Sequence, residues 1–179
     1  VYEKGLSTKI GEVYVATGDK QIFDEVNKNN GKSIYTKKDH LTGTDRIFEA
    51  YENLNISDID YIINLQGDEP LIDTNDIINL NNLAISHKSN IATLACKLNI
   101  NDIENTNVVK VVCNENIETT KSSLAKKFLR STGGEKFENI YHHIGIYIYK
   151  VSTLKKFINL EQSPNEISLK LEQLRAIDN

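Results

Sequence analysis

Two adjacent carboxylates, Asp68 and Glu69, follow a glycine and precede a proline in Asn64-Leu-Gln-Gly-Asp-Glu-Pro70. The apolar run Tyr61-Ile62-Ile63 leads into them. They therefore fall just past the carboxyl end of an expected strand, which is where open α/β sheets bind ligands. A carboxylate there suits Mg²⁺, which takes one or two carboxylates and leaves its other positions to water and phosphate oxygens. Gly67 lacks a Cβ, so it can turn sharply or let a ligand approach the backbone. Taken alone, the same residues also describe an acidic loop whose Asp caps a turn.

A second group lies in Lys38-Asp-His-Leu-Thr-Gly-Thr-Asp-Arg46, which precedes and opens a helix. Gly43 and Thr44 could offer backbone N–H groups to an anionic or carbonyl acceptor. Arg46, in the first turn, brings a planar guanidinium that could contact a nucleotide or a carboxylate. The plainer alternative is an ordinary helix start, with Thr42 or Thr44 as N-cap and Asp45 favouring the dipole. In Tyr141-His-His-Ile-Gly-Ile-Tyr-Ile-Tyr149, the strand period of two puts Ile144, Ile146 and Ile148 on one face. His143, Gly145, Tyr147 and Tyr149 fall on the other, as a polar-aromatic wall suited to a hydroxylated ligand or as an amphipathic face towards solvent.

The elements that must position these groups alternate in period. Short strands are expected at 12–17, 32–35, 60–64 and 91–98, with helices at 19–29, 44–54 and 74–86 between them. In the 44–54 helix, Ile47, Ala50, Tyr51 and Leu54 recur at helical spacing. Strands alternating with helices argue for βαβ units in a mainly parallel sheet covered on both faces. Residues 115–138 lose periodicity and fill with Lys, Ser, Thr, Asn and Gly, which reads as a mobile loop. Residues 164–177 read as one amphipathic helix with Ile167, Leu171 and Leu174 inward, and Glu172, Gln173 and Arg175 around them.

Composition narrows the classes. A net charge of −4 carries no general footprint for nucleic acid. No apolar run approaches the ~18 residues of a membrane span, and no signal peptide is evident. Cys96 and Cys113 each sit in an apolar run and read as buried free thiols of a reducing cytoplasm. Basic residues are lopsided, with 18 Lys against three Arg. Arg46, Arg130 and Arg175 are therefore singled out, because Lys cannot reproduce a planar multi-point contact. The chain opens on Val1 and contains no Met, which reads as an internal fragment of a longer protein.

Together with Asn107-Val-Val-Lys-Val-Val112, His143-Ile-Gly-Ile-Tyr147 and Leu171-Glu-Gln-Leu-Arg175, the two motifs above resemble, in this order, the 3-deoxy-manno-octulosonate cytidylyltransferase (CMP-Kdo synthetase) family. The resemblance runs from about Val13 to the last residue. It implies an α/β fold: a mainly parallel, Rossmann-like nucleotidyltransferase sheet over 1–98, with a smaller β-rich sugar-binding and dimerisation part over 99–179. It also implies transfer of CMP from CTP to Kdo, with release of pyrophosphate, in lipopolysaccharide synthesis. Mg²⁺ would be the cofactor, the protein a cytoplasmic homodimer, and neither nucleic acid nor membrane a partner. By the same resemblance, Asp68 is the metal ligand and, with Arg46, catalytic. His40, Gly43, Thr44, Gln66 and Gly67 border the nucleotide, and His143, Tyr147, Glu172 and Gln173 the sugar.

Departures from the family are also legible. Its Gly/Ser/Arg/Lys-rich triphosphate loop would precede Val1, and a second metal carboxylate would follow Asn179, so the fragment is expected to be inactive and prone to associate through an exposed sheet edge. Residues 120–128 lack the Ser-Arg-Ala-x-Ile-Pro pattern, with Arg130 or a nearby Lys as the substitute. The alternatives are a CMP-sialic acid synthetase-like enzyme and a non-catalytic nucleotide- or sugar-binding module.

Overall fold

The computed structural model describes residues 1–179. The chain divides into two compact units, Val1–Ala92 with Ile146–Ile158, and Thr93–Gly145 with Asn159–Asn179. No helix is long and apolar enough to cross a membrane.

In the first unit, β1 (Val15–Thr17) and β2 (Ser33–Tyr35) pair in parallel around α2 (Lys20–Lys28). Asp19 begins α2 by accepting the N–H groups of Gln21 and Ile22, a side-chain cap worth ~1 kcal/mol. A helix not expected from the sequence, α1 (Tyr2–Thr8), precedes β1. Then follow α3 (Gly43–Leu54), β3 (Tyr61–Asn64) and α4 (Thr74–Ser86). The start of α3 is a reciprocal box: Thr42 Oγ1 accepts from Asp45 N–H, and the Asp45 carboxylate accepts from Thr42 N–H.

β3 runs antiparallel to the latter part of the long strand β7 (Ile140–Lys150), with Asn64 opposite Tyr147 and Tyr61 opposite Lys150. After β7 comes α6 (Val151–Ile158). Tyr147, Tyr149 and Leu154 form a core with Ile47, Phe48, Ile62, Ile91 and Ile158.

The second unit is organised by β5 (Lys110–Cys113), which pairs antiparallel with β6 (Ala125–Leu129) on one side and with the start of β7 on the other. β4 (Ile91–Lys97) also pairs with β7. α5 (Ile117–Thr120), α7 (Pro164–Leu169) and α8 (Leu174–Asp178) complete the unit. Its core joins Val111, Cys113, Phe128, Tyr141, Leu171 and Leu174.

The expected α/β class holds, and within it strand direction is divided rather than mainly parallel: a parallel β1–β2 pair accompanies the antiparallel pairings of β3, β5, β6 and β7. Three further expectations are corrected. Residues 115–138 are not one loop, because β6 finds its partner in β5, a pairing that local composition does not encode. The 164–177 segment is two short helices, not one. Lys170 takes a left-handed conformation that ends α7, and Glu166 then reaches Arg175. A continuous helix would put residues nine apart on opposite faces. Ile167 is consequently exposed, while Leu171 and Leu174 are buried as expected. Cys96 is exposed, and Cys113 alone is buried.

Candidate functional site

At the carboxyl end of β1, residues Thr17, Gly18 and Asp19 line a concavity of about 250 Å³ with Lys38 and Arg46. Gly18 is required there by packing: a Cβ would lie 2.7 Å from Lys37 O and 3.0 Å from Arg46 Nη1. The Arg46 guanidinium faces protein. Nη1 donates to Thr36 Oγ1 at 2.7 Å and to Lys37 O at 2.9 Å, and Nη2 to Lys38 O at 3.1 Å. It therefore anchors the segment that carries His40. That ring lies 2.5 Å from Glu49 Oε2, and Glu49 also accepts from Lys37 N–H. Burial works to raise the Glu49 pKa, but these hydrogen bonds hold it below its usual value.

Gly43, the first residue of α3, is exposed, whereas Thr44 is fully buried with Oγ1 3.2 Å from the Tyr149 hydroxyl. Of this pair, only the Gly43 backbone is open to a ligand. Past β3, Gln66 accepts from Glu69 N–H at 3.3 Å, closing the turn that presents Asp68 to solvent. Gly67 needs no special conformation and has no atom within 4 Å of a Cβ position. No three or more His, Cys, Asp or Glu side chains converge into a metal cage. Asp68, outside any ion pair, instead fits an ion that draws most of its ligands from water and phosphate.

The expected sugar residues divide between the units. Tyr147 is buried in the first, stacked on Tyr149 with ring centres 5.9 Å apart. The polar-aromatic face of β7 is thus packed into core, and does not stand as an open wall. In the second unit His143 is buried, edge-on to Phe128, and 2.9 Å from Thr93 Oγ1 through Nε2. The Thr93 hydroxyl also lies 3.1 Å from Ile144 O, its acceptor. Burial, with His142 nearby, lowers the His143 pKa to about 4, so the ring is neutral at pH 7. Glu172 and Gln173 are half-buried in the turn between α7 and α8.

The three arginines share a use. Arg130 donates to Leu169 O, Thr106 O and Lys170 O, and Arg175 makes a forked contact with Glu166. Each guanidinium makes the planar multi-point contact that set it apart from Lys, but with protein partners. Arg130 is engaged in holding backbone and is not a free substitute for the absent motif. Two buried polar residues escaped the sequence reading. Lys110, fully buried, donates to Asn105 O and Arg130 O, and burial lowers its pKa. A lone Lys in the run Val108-Val-Lys-Val-Val112 was the available signal. Asn64, inside the acidic motif, is 5% exposed with Nδ2 lacking a hydrogen-bond partner.

The cytidylyltransferase family profile matches residues 1–179. The chain is 41% identical to the 3-deoxy-manno-octulosonate cytidylyltransferase of Thermodesulfovibrio yellowstonii, over 100% of this chain and 74% of that protein. It is 36% identical to the enzyme of the same name from Brucella canis, over 99% and 71%. A solved structure of CMP:2-keto-3-deoxy-manno-octonic acid synthetase complexed with CTP superposes with a TM-score of 0.85 at 33% identity, over 99% of this chain and 72% of that one. With its glycine-framed strand ends and the match along its whole length, the chain belongs to the cytidylyltransferase family.

Proposed function

We infer that this protein transfers CMP from CTP to 3-deoxy-manno-octulosonate, releasing pyrophosphate. The observation that carries the reading is the full-length similarity to relatives bearing that name. In the reaction, the anomeric hydroxyl oxygen of the sugar forms a bond to the α-phosphorus and gives up its proton. The bond from that phosphorus to pyrophosphate breaks in line. Such transfer depends on positioning and on neutralising charge more than on covalent chemistry.

The roles follow from the chemistry and placement of each residue. Asp68 is the residue suited to hold Mg²⁺, whose contribution would be to neutralise phosphate charge. Gly67 supplies clearance beside it, and Gln66 fixes the turn. Gly43 offers its backbone N–H to the nucleotide, with Thr44 packed behind it against Tyr149. Arg46 acts one step removed, by ordering residues 36–38 and so His40. In the second unit, Glu172 and Gln173 are the polar groups suited to sugar hydroxyls. Neutral His143 pairs with Thr93 in the same unit and carries no charge at neutral pH. A homodimer is the expected assembly, which sedimentation velocity would check.

The test is a pyrophosphate-release assay on the natural gene product with CTP and Mg²⁺, comparing Kdo with sialic acid and with no sugar. Release that depends on Kdo supports the reading. Release with sialic acid instead moves the protein to the related sugar-nucleotide class, and nucleotide binding without release with any sugar makes it a binding module.

A further inference from the structure

We propose that Asn64 is a base-recognition residue, whose side-chain amide donates to the acceptor edge of cytosine at the start of α3. The proposal rests on the cytidylyltransfer reading above and deepens it. Asn64 ends β3, opposite Tyr147 on β7, and is held there by strand register. Its side chain is almost fully buried, yet Nδ2 has no hydrogen-bond partner. A buried donor left unmade is costly, so native proteins seldom keep one without a reason.

The space beside that donor is informative. A Cβ built on Gly43 would lie 3.7 Å from Asn64 Nδ2, with no other atom within 4 Å outside its chain neighbours and its own helix backbone. Gly43 is itself exposed and its φ is not in the left-handed region, so backbone conformation does not demand glycine. What the missing side chain leaves is a gap over an orphaned donor, at the end of a 12-residue helix whose first N–H groups have no intrahelical partner. Two donors, Asn64 Nδ2 and the N–H of exposed Gly43, thus lie beside that gap.

The local charge selects the kind of acceptor. The Asp45 carboxylate already occupies the helix start, accepting from Thr42 N–H and from the Thr42 hydroxyl at 2.8 Å. A phosphate in the same opening would meet that negative charge, whereas a neutral ring carbonyl or ring nitrogen does not. Cytosine presents both, at O2 and N3. Asn64 contributes a neutral donor, matching a neutral acceptor.

Calorimetric titration of the natural gene product, and of its Asn64→Leu and Gly43→Ala variants, with CTP, cytidine and tripolyphosphate tests this. Leucine is nearly isosteric and adds no charge; alanine fills the gap. Both variants are expected to weaken cytidine and CTP by roughly tenfold or more, the scale of one lost hydrogen bond. Tripolyphosphate binding and Tm should stay unchanged. Weakening of tripolyphosphate with cytidine unaffected overturns the proposal, because the acceptor would then be a phosphate. Wild-type affinity for cytidine in Asn64→Leu overturns it as well, and so does a fall in affinity that only tracks a fall in Tm. If the unaltered protein binds no cytidine nucleotide, the cytidylyltransfer reading itself fails; if it binds CTP and Asn64→Leu binds equally, only the Asn64 assignment does.

Discussion

Replacing Glu166 with alanine should destabilise the second unit more than almost any other single change. Glu166 and Arg175 are each 3% exposed. Arg175 Nη2 donates to Oε1 at 2.6 Å, and Nε to Oε2 at 3.0 Å; Gln162 Nε2 adds a further bond to Oε1 at 3.0 Å. On a surface such a pair is worth ~0–1 kcal/mol. Here Glu166→Ala strands a guanidinium in the interior, at a cost of roughly 3–5 kcal/mol. For a chain of this size, each kcal/mol shifts Tm by about 2–4 °C, so the fall should be of order 10 °C.

Urea unfolding followed by circular dichroism measures the loss, and a double-mutant cycle locates it. Glu166→Leu with Arg175→Met removes both charges, and should unfold within ~2 kcal/mol of the parent. The charge also sets a pH dependence. Burial raises the Glu166 pKa, but the bonds from Arg175 and Gln162 outweigh it and the net shift is downward. The carboxylate's contribution is therefore present above the ordinary Glu range and lost as pH falls through the lowered folded value. A loss below ~1 kcal/mol in Glu166→Ala, or single effects that simply add in the double variant, would refute the reasoning.

Asp68→Asn should lower turnover by ~10²-fold or more in Mg²⁺-dependent CMP-Kdo synthesis, since it keeps size but removes the charge a metal uses; near-parental activity would remove Asp68 from the metal site. His143, with its folded pKa lowered to about 4, should make the protein less stable as pH falls from its unfolded value near 6.5 towards 4. In that window its share is about 1.4 kcal/mol per pH unit, read as the difference between parent and His143→Gln unfolding curves; parallel curves would contradict the buried neutral ring. Glu172→Ala should raise KM for Kdo, with a cost of ~1–3 kcal/mol, and leave KM for CTP nearly unchanged. An equal loss for both substrates would mean that this turn organises the site as a whole.

Much of the first unit was legible because its signals are local. Asp19, Thr42 with Asp45, and Asp73 begin α2, α3 and α4 through side-chain caps within three residues of each helix start. The Thr74–Ser86 helix matches its expected bounds. The scarcity of Arg was informative for the same kind of reason: a residue kept where Lys would be commoner must use its planar geometry, and all three do. Their partners were not legible, since Thr36, Thr106, Leu169 and Glu166 are brought to them by the fold.

By itself, the sequence determined the class of chemistry and the positions of α2, α3 and α4, because acidic motifs, caps and apolar periods are properties of neighbouring residues. It determined family membership by the order of those motifs along the chain. Tertiary structure alone decided strand direction, the pairing of β6 with β5, and the break at Lys170. Each depends on partners distant in sequence, and no local period records which strand or which charge will arrive. It likewise decided that Arg46 and Arg130 spend their donors on protein partners, that His143 stays neutral, and that Asn64 keeps a buried donor facing the gap at Gly43. Burial and hydrogen-bond satisfaction set those properties, and both exist only once the chain has packed.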